Sequence, residues 1–374
     1  MRNMQILKKT NLRALGKTRK IGRNRVLEIL EKKKLVGRGG AAFPTSEKWR
    51  QVINAESKEK YLVCNADEGE PGTFKDKFII EYNAETLIEG ILIAAEVIKA
   101  RKCFIYLRGE YTCLKKHLEK TIKNILKKSN SKINIEIVLG AGAYICGEET
   151  AILRSIMGYR GQPLCKPPHP TVKGLWEKPT AVNNVETLTC VAQAIEFDDW
   201  DSEKRLFSIS GDVKSPGVYE FNLGIKISEI LEKVNPKEEL KAMSFGCFGG
   251  IMPVEKNKKI TEKYLLKNNC FHGAYSIIFI GKSQSILRIC ISIAKFYTYE
   301  SCGKCTPCRE GTIRLLNLLK KIRDKKHTRD DLKLLKEFAS HVNETSLCGL
   351  GQSSGNHILT SLKHFKEEYE KDIN

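Results

Sequence analysis

The 374-residue chain is predicted to form an α/β domain with a largely parallel sheet, then a small β-grasp domain and a C-terminal four-helix bundle. Strand-like and helical segments alternate in the first half, a pattern typical of parallel strands joined by helices. Short strands and turn residues follow Asp198–Asp201, and only helical periodicity remains after Lys282. We place the domain boundaries at residues 1–200, 201–282 and 283–374.

The α/β domain is expected to begin with an amphipathic helix from Asn24. The elements predicted after it are a strand at Tyr61–Cys64, a helix at Ala84–Ala100, a strand at Cys103–Leu107, a helix at Thr112–Lys128 and a strand at Ile133–Leu139. Arg160–Pro179 is rich in Gly and Pro, so it should cross the domain without regular structure. Ligands of such sheets bind at the carboxyl ends of the strands, and the loops there are the candidate site.

A hairpin opens the predicted β-grasp domain, with strands Leu206–Ser210 and Gly217–Phe221 joined by a turn at Lys214–Gly217. A helix at Ile227–Val234 and a strand at Tyr275–Ile280 would complete it. Four helices with short connections then predict the bundle. They are Ser285–Tyr299, Arg309–Ile322, Arg329–His341 and Asn356–Tyr369.

The charge is strongly positive, with 64 Lys and Arg residues and a formal net charge of +20. These residues are spread along the whole chain and form no nucleic-acid-binding motif, so we expect no nucleic-acid partner. Solvated lysine-rich helix faces are one interpretation of the charge, and docking to an acidic protein subunit is the other. No apolar stretch has the length of a transmembrane helix, so we expect no direct membrane span.

The N-terminal 27 residues are basic and contain no acidic residue, but they also lack the apolar centre of a signal peptide. The 13 cysteines, an odd number without an export signal, favour reduced thiols. Both features predict a cytoplasmic protein. The alternative is a removable presequence, which would place the protein in the mitochondrial matrix.

Four cysteines have the spacing of a metal site. Cys302, Cys305 and Cys308 form a C-x-x-C-x-x-C motif, and Cys348 stands alone in a later Gly-containing loop. Three closely spaced thiolates and one remote thiolate are typical of a [4Fe–4S] cluster. A structural zinc site is the alternative, although zinc sites more often pair their cysteines two by two.

A glycine-rich segment, Gly37–Gly40, follows the first predicted helix. Its glycines would allow backbone amides to approach a phosphate or ribose, while Arg38 and Lys48 supply positive charge and Phe43 a stacking face. A tight turn without a ligand is the alternative. No strand precedes the segment, so it is not the dinucleotide-binding fingerprint.

Three further loops carry polar residues. Asn65, Asp67, Glu68 and Glu70 follow the first strand and could bind hydroxyl groups of a ribityl or ribose chain, or remain solvated. Gly147 and Glu148 should lie at a helix start, which suits a phosphate, although acidic residues there also stabilise the helix dipole. Lys166, Asn183 and Asn184 add a lysine and two adjacent amides.

Together, these strings resemble the NADH-binding flavoprotein subunit of respiratory complex I, the 51 kDa subunit. The matching stretches include GRGGAAFPTSEKW, NADEGEPGTFKD, GAGAYICGEETAIL, KPTAVNNVETL and ESCGKCTPCREGT, with SLCGLG near the end. They follow the family order from about Asn24 onwards. The same module occurs in the diaphorase subunits of NAD-linked hydrogenases and formate dehydrogenases.

The resemblance implies a Rossmann-like FMN domain, a β-grasp domain and a four-helix bundle that carries one [4Fe–4S] cluster. The residues that would surround FMN are Gly37, Gly39, Gly40, Lys48, Asn65, Asp67, Tyr144, Gly147, Glu148, Asn183 and Asn184, with Arg38 adding charge to the glycine segment. Those that would line the NADH side of the same cavity are Phe43, Glu68, Glu70, Glu149 and Lys166. Cys302, Cys305, Cys308 and Cys348 would hold the cluster.

The implied activity is hydride transfer from NADH to FMN, then single-electron transfer to the cluster and to partner subunits, most simply towards quinone. No side chain is expected to act as a catalytic acid or base. The implied partners are a thioredoxin-like [2Fe–2S] subunit and a larger ferredoxin-like subunit in a complex that lies peripherally on a membrane. The alternative within the family is a diaphorase of a soluble NAD-dependent hydrogenase or formate dehydrogenase, including a bifurcating one.

Three residues depart from the family pattern. Ala42 stands where the family usually has glycine, and Gln51 and His169 replace aromatic residues that stack on the adenine. The last two leave open a third alternative, a cluster-bearing scaffold without NADH turnover.

Overall fold

A computed structural model describes residues 4–370 and divides the chain into two compact units. The first unit contains the chain up to Gly69 and Phe74–Leu206. The second contains the short segment Glu70–Thr73 and the chain from Phe207 onwards. The loop after the first strand therefore contributes residues to both units.

The first unit is an α/β fold. Its helices are α1 (Arg13–Lys32), α2 (Thr45–Asn54), α3 (Lys75–Ile98), α4 (Thr112–Ser129), α5 (Glu149–Ile156) and α6 (Val185–Glu196). Its strands are β1 (Tyr61–Ala66), β2 (Lys102–Leu107), β3 (Asn134–Leu139) and β4 (Thr180–Asn184). Single 3-10 turns lie at Gln5–Leu7, Gly109–Tyr111, Tyr144–Gly147 and Leu175–Glu177.

The four strands form one parallel sheet in the order β3-β2-β1-β4. Strand β1 is central, and its residue Asn65 pairs with Tyr106 of β2 on one side and Asn184 of β4 on the other. The carboxyl ends of parallel strands meet at the same edge. The register therefore brings the polar loops after β1 and β4 together.

Helix α3 is the central helix of this unit and is buried along most of its length. It packs against α1, α4 and α6. At its crossing with α6, a Cβ on Gly90 would overlap the Leu188 carbonyl group, with the carbonyl carbon only 2.7 Å away. Gly90 therefore allows the two helix backbones to touch.

The basic N-terminal arm is part of this packing. The side-chain amide of Gln193 donates to the carbonyl oxygens of Gln5 and Lys8, each at 2.9 Å. The Asn83 amide donates to the Ile6 carbonyl at 2.7 Å. These bonds fix the backbone of the arm against α6 and α3.

The second unit contains a five-stranded mixed sheet followed by helices. Its strands are β5 (Lys204–Gly211, which begins at the end of the first unit), β6 (Gly217–Asn222), β7 (Leu240–Ser244), β8 (Ile251–Pro253) and β9 (Ser276–Gly281). The order is β6-β5-β9-β7-β8, with β5 parallel to β9 and β7 antiparallel to β8 and β9. Its helices are α7 (Ile227–Val234), α8 (Glu262–Lys267), α9 (Ile286–Glu300), α10 (Thr306–Arg323), α11 (Arg329–Thr345), α12 (Gly349–Ser353), α13 (Asn356–His364) and α14 (Glu367–Glu370).

Four of the C-terminal helices pack in a closed circuit. Helix α10 contacts α9 and α11, and α13 contacts the same two helices. A capping box of Thr328 and Asp331 starts α11, and Pro307 lies in the first turn of α10. Between residues 4 and 370, none of the helices combines the length and apolarity needed to cross a membrane.

The predicted parallel sheet is confirmed, and the main differences lie at helix ends. Helix α1 begins at Arg13 instead of Asn24 and is interrupted at Gly22, where φ is 75°. Helix α3 begins at Lys75 but is interrupted at Asn83, where φ is −145°, so the helix predicted from Ala84 is its second segment and the first segment was not predicted. The helix predicted over Asn356–Tyr369 is two helices, because the extended φ of −137° at Phe365 separates α13 from α14.

Candidate functional site

The glycine-rich loop lies against the carboxyl end of β4. A Cβ on Gly39 would be 3.3 Å from the Cβ of Asn184, so a side chain at this position would press on that asparagine. The Gly37 amide donates to the Phe43 carbonyl at 2.9 Å and closes the loop. Gly40 and Ala42 both have positive φ, 107° and 50°. Ala42 therefore keeps a left-handed backbone that glycine adopts more readily.

The Arg38 side chain points into the protein, where it is buried. Its guanidinium donates to the carbonyls of Lys204 at 2.8 Å and Ser202 at 3.2 Å, and lies 3.8 Å from the Glu186 carboxylate. The structure thus engages this side chain in packing the loop. The Arg38 backbone amide is engaged as well, because it donates to the Thr187 hydroxyl at 2.8 Å.

Three amides organise the edge formed by β1 and β4. Asn65 donates to the Gly147 carbonyl at 2.9 Å and accepts from the Asp67 amide at 3.0 Å. Asn184 caps α6 by accepting from the Glu186 amide at 2.9 Å. The side-chain amide oxygen of Asn183 accepts a hydrogen bond from the Trp49 indole N–H at 3.0 Å. These bonds hold the asparagine side chains in fixed orientations.

Gly147 and Tyr144 belong to the turn that precedes α5. A Cβ on Gly69 would be 2.9 Å from the Tyr144 ring, so Gly69 is the residue that lets the ring lie against this loop. The Glu148 carboxylate caps α5 and accepts from the amides of Thr150 at 2.8 Å and Ala151 at 3.0 Å. The predicted helix start at Gly147 and Glu148 is confirmed.

Two lysines neutralise the first turn of α5. Lys166 lies 3.0 Å from the Glu148 carboxylate and 2.6 Å from that of Glu149, and Lys48 lies 3.4 Å from Glu149. Burial would raise the pKa of Glu149, but the two lysines outweigh it and hold the pKa below its usual value. The Lys48 ammonium also lies 5.9 Å from the centre of the half-exposed Phe43 ring.

Behind the asparagine edge lies a buried ionic network that the sequence patterns did not predict. The Lys75 ammonium lies 2.7 Å from the Asp76 carboxylate and 3.0 Å from that of Glu186. Asp76 also accepts a short hydrogen bond from the Asn184 amide, so the network orients a predicted site residue. A lysine and an aspartate that are neighbours in a sequence usually lie on the protein surface. Only the motif strings GTFKD and NNVET, in which these residues occur, marked them.

Glu68 joins this network from the loop after β1. It accepts from the backbone amides of Asp76 at 2.8 Å and Lys77 at 3.0 Å, and from the Tyr111 hydroxyl at 3.1 Å. It therefore caps α3, which explains the early start of that helix. Burial raises the pKa of Glu68 to about 7, the nearby Asp76 adds to the shift, and Lys75 opposes it.

Glu70 belongs to the second unit, where its buried carboxylate lies beside Gly246. The structure therefore groups the predicted ligand-binding residues of the first unit around the ends of β1 and β4 and the start of α5. Glu70 is the one predicted NADH residue that the division of the chain assigns to the second unit.

The four predicted cluster cysteines lie near the starts of two helices of the second unit. Cys305 precedes α10 and Cys308 lies in its first turn, while Cys348 precedes α12. Burial raises the pKa of Cys348, and the backbone amides of Gly351 and Leu350 oppose this shift. A Cβ on Gly351 would be 3.2 Å from the Cβ of Cys308, which shows how closely the loops approach.

The thiols also influence one another electrostatically. Burial raises the pKa of Cys308 to about 11, a hydrogen bond from Ser301 lowers it, and Cys305, Cys348 and Cys302 raise it further. Among residues 4–370, no three His, Cys, Asp or Glu side chains gather closely enough for a single metal ion. Cys308 and Cys348 are each influenced by the neighbouring cysteines, and four cysteine thiols are the donor set of a larger iron–sulfur cluster.

Family comparisons agree with this division of sites. Residues 30–193 match the family described as the Nuo51 FMN-binding domain. Residues 288–372 match the NADH-ubiquinone oxidoreductase-F iron-sulfur binding region. The first match contains the sheet and its polar loops, and the second contains all four cysteines.

Similar proteins include the F subunit of NADH-quinone oxidoreductase of Aquifex aeolicus, which is 37% identical over 98% of this chain and 90% of its own length. The corresponding Streptomyces coelicolor protein is 40% identical, covering 91% of this chain and 81% of that protein. The alpha subunit of the NAD-reducing hydrogenase HoxS of Cupriavidus necator is 37% identical over 93% of this chain. This chain spans only 60% of that subunit.

Among solved structures, a crystal structure of an NAD+-reducing [NiFe]-hydrogenase in the H2-reduced state aligns with a TM-score of 0.88. The sequences are 34% identical, and the alignment covers 94% of this chain and 63% of the hydrogenase chain. The fold is therefore shared over almost all of the present chain.

Proposed function

Because this chain belongs to the family of F-type flavoprotein subunits of NADH-quinone oxidoreductases and their hydrogenase relatives, we propose that it is the NADH-oxidising subunit of a multisubunit oxidoreductase. FMN, when bound, accepts a hydride from NADH and releases electrons singly, and the [4Fe–4S] cluster carries them one at a time. The main support for the proposal is that one chain contains both an asparagine-lined sheet edge and a four-thiol site.

We assign the FMN site to the ends of β1 and β4. The bare backbone of Gly37, Gly39 and Gly40 would let the flavin approach the loop, with the amides of Gly39 and Gly40 as donors because those of Gly37 and Arg38 bind Phe43 and Thr187. The polar atoms of Asn65 would also bind the flavin, and the network behind Asn184 orients that edge. Gly39 and Gly69 support this assignment, because a side chain at either would fill the space beside Asn184 or Tyr144. The remaining proposed FMN contacts are Lys48, Asp67, Gly147, Glu148 and Asn183.

We assign NADH binding to Phe43, Glu68, Glu70, Glu149 and Lys166. Carboxylates accept hydrogen bonds from ribose hydroxyls, a lysine attracts the pyrophosphate, and Phe43 offers a flat apolar face. The task of these residues is to hold the nicotinamide against the flavin in near-attack geometry and to exclude water. None of them needs to transfer a proton. Cys302, Cys305, Cys308 and Cys348 would ligate the cluster.

The finer architecture is also a proposal. We infer a Rossmann-like domain over residues 1–200, a β-grasp domain over 201–282 and a four-helix bundle over 283–374. The mixed sheet with α7, and the circuit of α9, α10, α11 and α13, support the last two. We further propose that the partners are a thioredoxin-like [2Fe–2S] subunit and a ferredoxin-like subunit, in a complex at the periphery of a membrane.

A diaphorase subunit of an NAD-reducing hydrogenase is the second candidate. The similarity to HoxS and to the hydrogenase crystal structure favours it. Purification of the native complex distinguishes the two candidates. A nickel-containing partner would identify a hydrogenase, and quinone-dependent activity would identify the respiratory enzyme.

The test of the proposal is a visible spectrum of the anaerobically purified chain before and after NADH addition. We expect one FMN and about four irons and four sulfides per chain, with flavin absorbance bleached by NADH. Flavin that NADH fails to bleach would favour the scaffold alternative. One zinc without sulfide would contradict the cluster.

A further inference from the structure

Glu70 lies in a recess of the second unit that has room for it only because residue 246 is glycine. A Cβ on Gly246 would be 2.8 Å from the carboxyl carbon of Glu70 and 3.4 Å from its Cγ, and would overlap one carboxylate oxygen. A Cβ on Gly273 would be 3.8 Å from the same oxygen. Both glycines have positive φ, 57° and 51°. Two turns thus present bare backbone to one buried carboxylate.

The turn that contains Gly246 is held firmly. The Ser244 hydroxyl donates to the Gly246 carbonyl at 2.7 Å, and the Phe245 amide donates to the Gly250 carbonyl at 3.1 Å. The Gly249 amide donates back to the Phe245 carbonyl at 2.9 Å. A side chain added at position 246 would therefore displace the Glu70 carboxylate, the flexible end of a side chain, before it displaced the turn.

We propose that Gly246 is a positioning residue for NADH binding, because its bare backbone lets the Glu70 carboxylate occupy its binding position. This inference rests on the proposed assignment of Glu70 to NADH. It adds to the assignment of Glu70 a glycine turn between β7 and β8 of the same unit.

Gly246→Ala tests the proposal, and Gly224→Ala is the matched control. Gly224 lies in the same unit and also has positive φ, 79°, but a Cβ there would make only an ordinary contact of 3.6 Å with Thr261. Both variants place an alanine at a positive φ, so both carry a similar backbone penalty. Only Gly246→Ala moves the Glu70 carboxylate.

The holoprotein is titrated with NAD+ by calorimetry, and the Michaelis constant for NADH is measured with an artificial acceptor. Gly246→Ala should weaken NAD+ binding about tenfold, a loss typical of one hydrogen bond to a charged group. The Michaelis constant should rise while kcat, FMN and iron contents stay unchanged. Gly224→Ala should bind NAD+ as the parent does. Glu70→Gln should match Gly246→Ala, and the double variant should be no weaker, because both changes remove one contact.

The outcomes separate this inference from its premise. If Glu70→Gln binds NAD+ as the parent does, Glu70 is not an NADH residue, and the inference is wrong with it. If Glu70→Gln weakens binding but Gly246→Ala does not, the premise stands and the positioning role of Gly246 is wrong. Equal losses in Gly246→Ala and Gly224→Ala would also overturn it, because the backbone penalty alone would then account for the effect.

Discussion

At the residue scale, Lys166 is the cation among the proposed NADH-binding residues. Burial would lower the pKa of Lys166, but hydrogen bonds to Glu149 and Glu148 outweigh it and raise the pKa, so the ammonium stays charged. Lys166→Ala should raise the Michaelis constant for NADH about tenfold, the value of one charge-assisted hydrogen bond. The turnover number should fall less, because the contact forms equally in ground and transition states.

Lys173→Ala is the control for this variant. The Lys173 ammonium pairs with Glu177 at 2.9 Å, but both side chains are exposed and outside the proposed site. Its kinetics should equal those of the parent. Steady-state kinetics of both variants that are indistinguishable from the parent would show that Lys166 is a surface cation without a role in NADH binding.

Glu68 makes a pH-dependent contribution to the stability of the first unit. The pKa of about 7 in the folded chain lies above its ordinary value of 4.5, so the folded chain retains a proton that the unfolded chain releases. Relative to the unfolded chain, the folded chain therefore loses stability as the pH rises from about 4.5 to 7. Glu68→Gln cannot titrate and should remove this loss.

The measurement is the unfolding midpoint of parent and Glu68→Gln between pH 5 and pH 7.5. Relative to Glu68→Gln, the parent should be least stable at pH 7.5. The difference between the two unfolding midpoints should therefore change with pH. Glu81→Gln, which removes a half-exposed partner of Lys77, should run parallel to the parent. Parallel curves for Glu68→Gln would mean that Glu68 is ionised throughout this range.

At the scale of elements, the glycine loop and the end of β4 form one surface. Gly39→Val adds atoms where a Cβ alone would already be 3.3 Å from Asn184, so the loop must move away from the sheet edge. FMN occupancy should fall by an order of magnitude or more, because close approach of the loop amides is lost. Iron content should be unchanged, because the cysteines belong to the second unit. FMN content is measured by flavin fluorescence after denaturation, and iron content is measured by iron analysis.

Gly16→Val is the matched control, because a Cβ at Gly16 in α1 would meet nothing within 4 Å. It should keep both FMN and iron. Loss of flavin and iron together in Gly39→Val would indicate general misfolding and leave the loop assignment without support.

Sequence periodicity predicted the first three strands within two residues at each end. Short apolar β-branched runs between polar loops seldom form any other structure than a buried strand. Periodicity also predicted the segment of α3 that follows the interruption at Asn83 and missed the first segment, whose start depends on a cap from Glu68, several residues upstream and outside the helix. Arg38 was predicted as a cation for a phosphate, yet its guanidinium is buried beside Glu186. Tertiary packing decides which charged side chains are buried as partners. The spacing of residues in the sequence does not reveal that packing.

At the scale of the whole molecule, two compact units carry the two kinds of proposed cofactor site. The ends of β1 and β4 lie in the first unit, and all four cysteines lie in the second. Damage to one site should therefore leave the other cofactor bound. Cys348 is the most informative position for this separation, because this proposed ligand precedes α12, whereas the other three cysteines lie at the start of α10.

Cys348→Ala should leave a three-thiolate site that loses one iron readily, and it should loosen the C-terminal helices, because metal binding and folding are coupled. FMN content should stay at the parent level, and NADH should still bleach the flavin. In the assembled complex, NADH oxidation should fall at least about tenfold, because the damaged cluster is the proposed one-electron exit from the flavin.

Cys113→Ala, at an exposed cysteine of the first unit, is the control and should retain every activity. The decisive comparison is the ratio of two rates: NADH-dependent reduction of an artificial acceptor that reacts at the flavin, and NADH oxidation by the complex. Cys348→Ala should preserve the first rate and lose the second. If both rates survive and the cluster keeps its electron paramagnetic resonance signal, the fourth iron has another ligand, and Cys348 serves only to start α12.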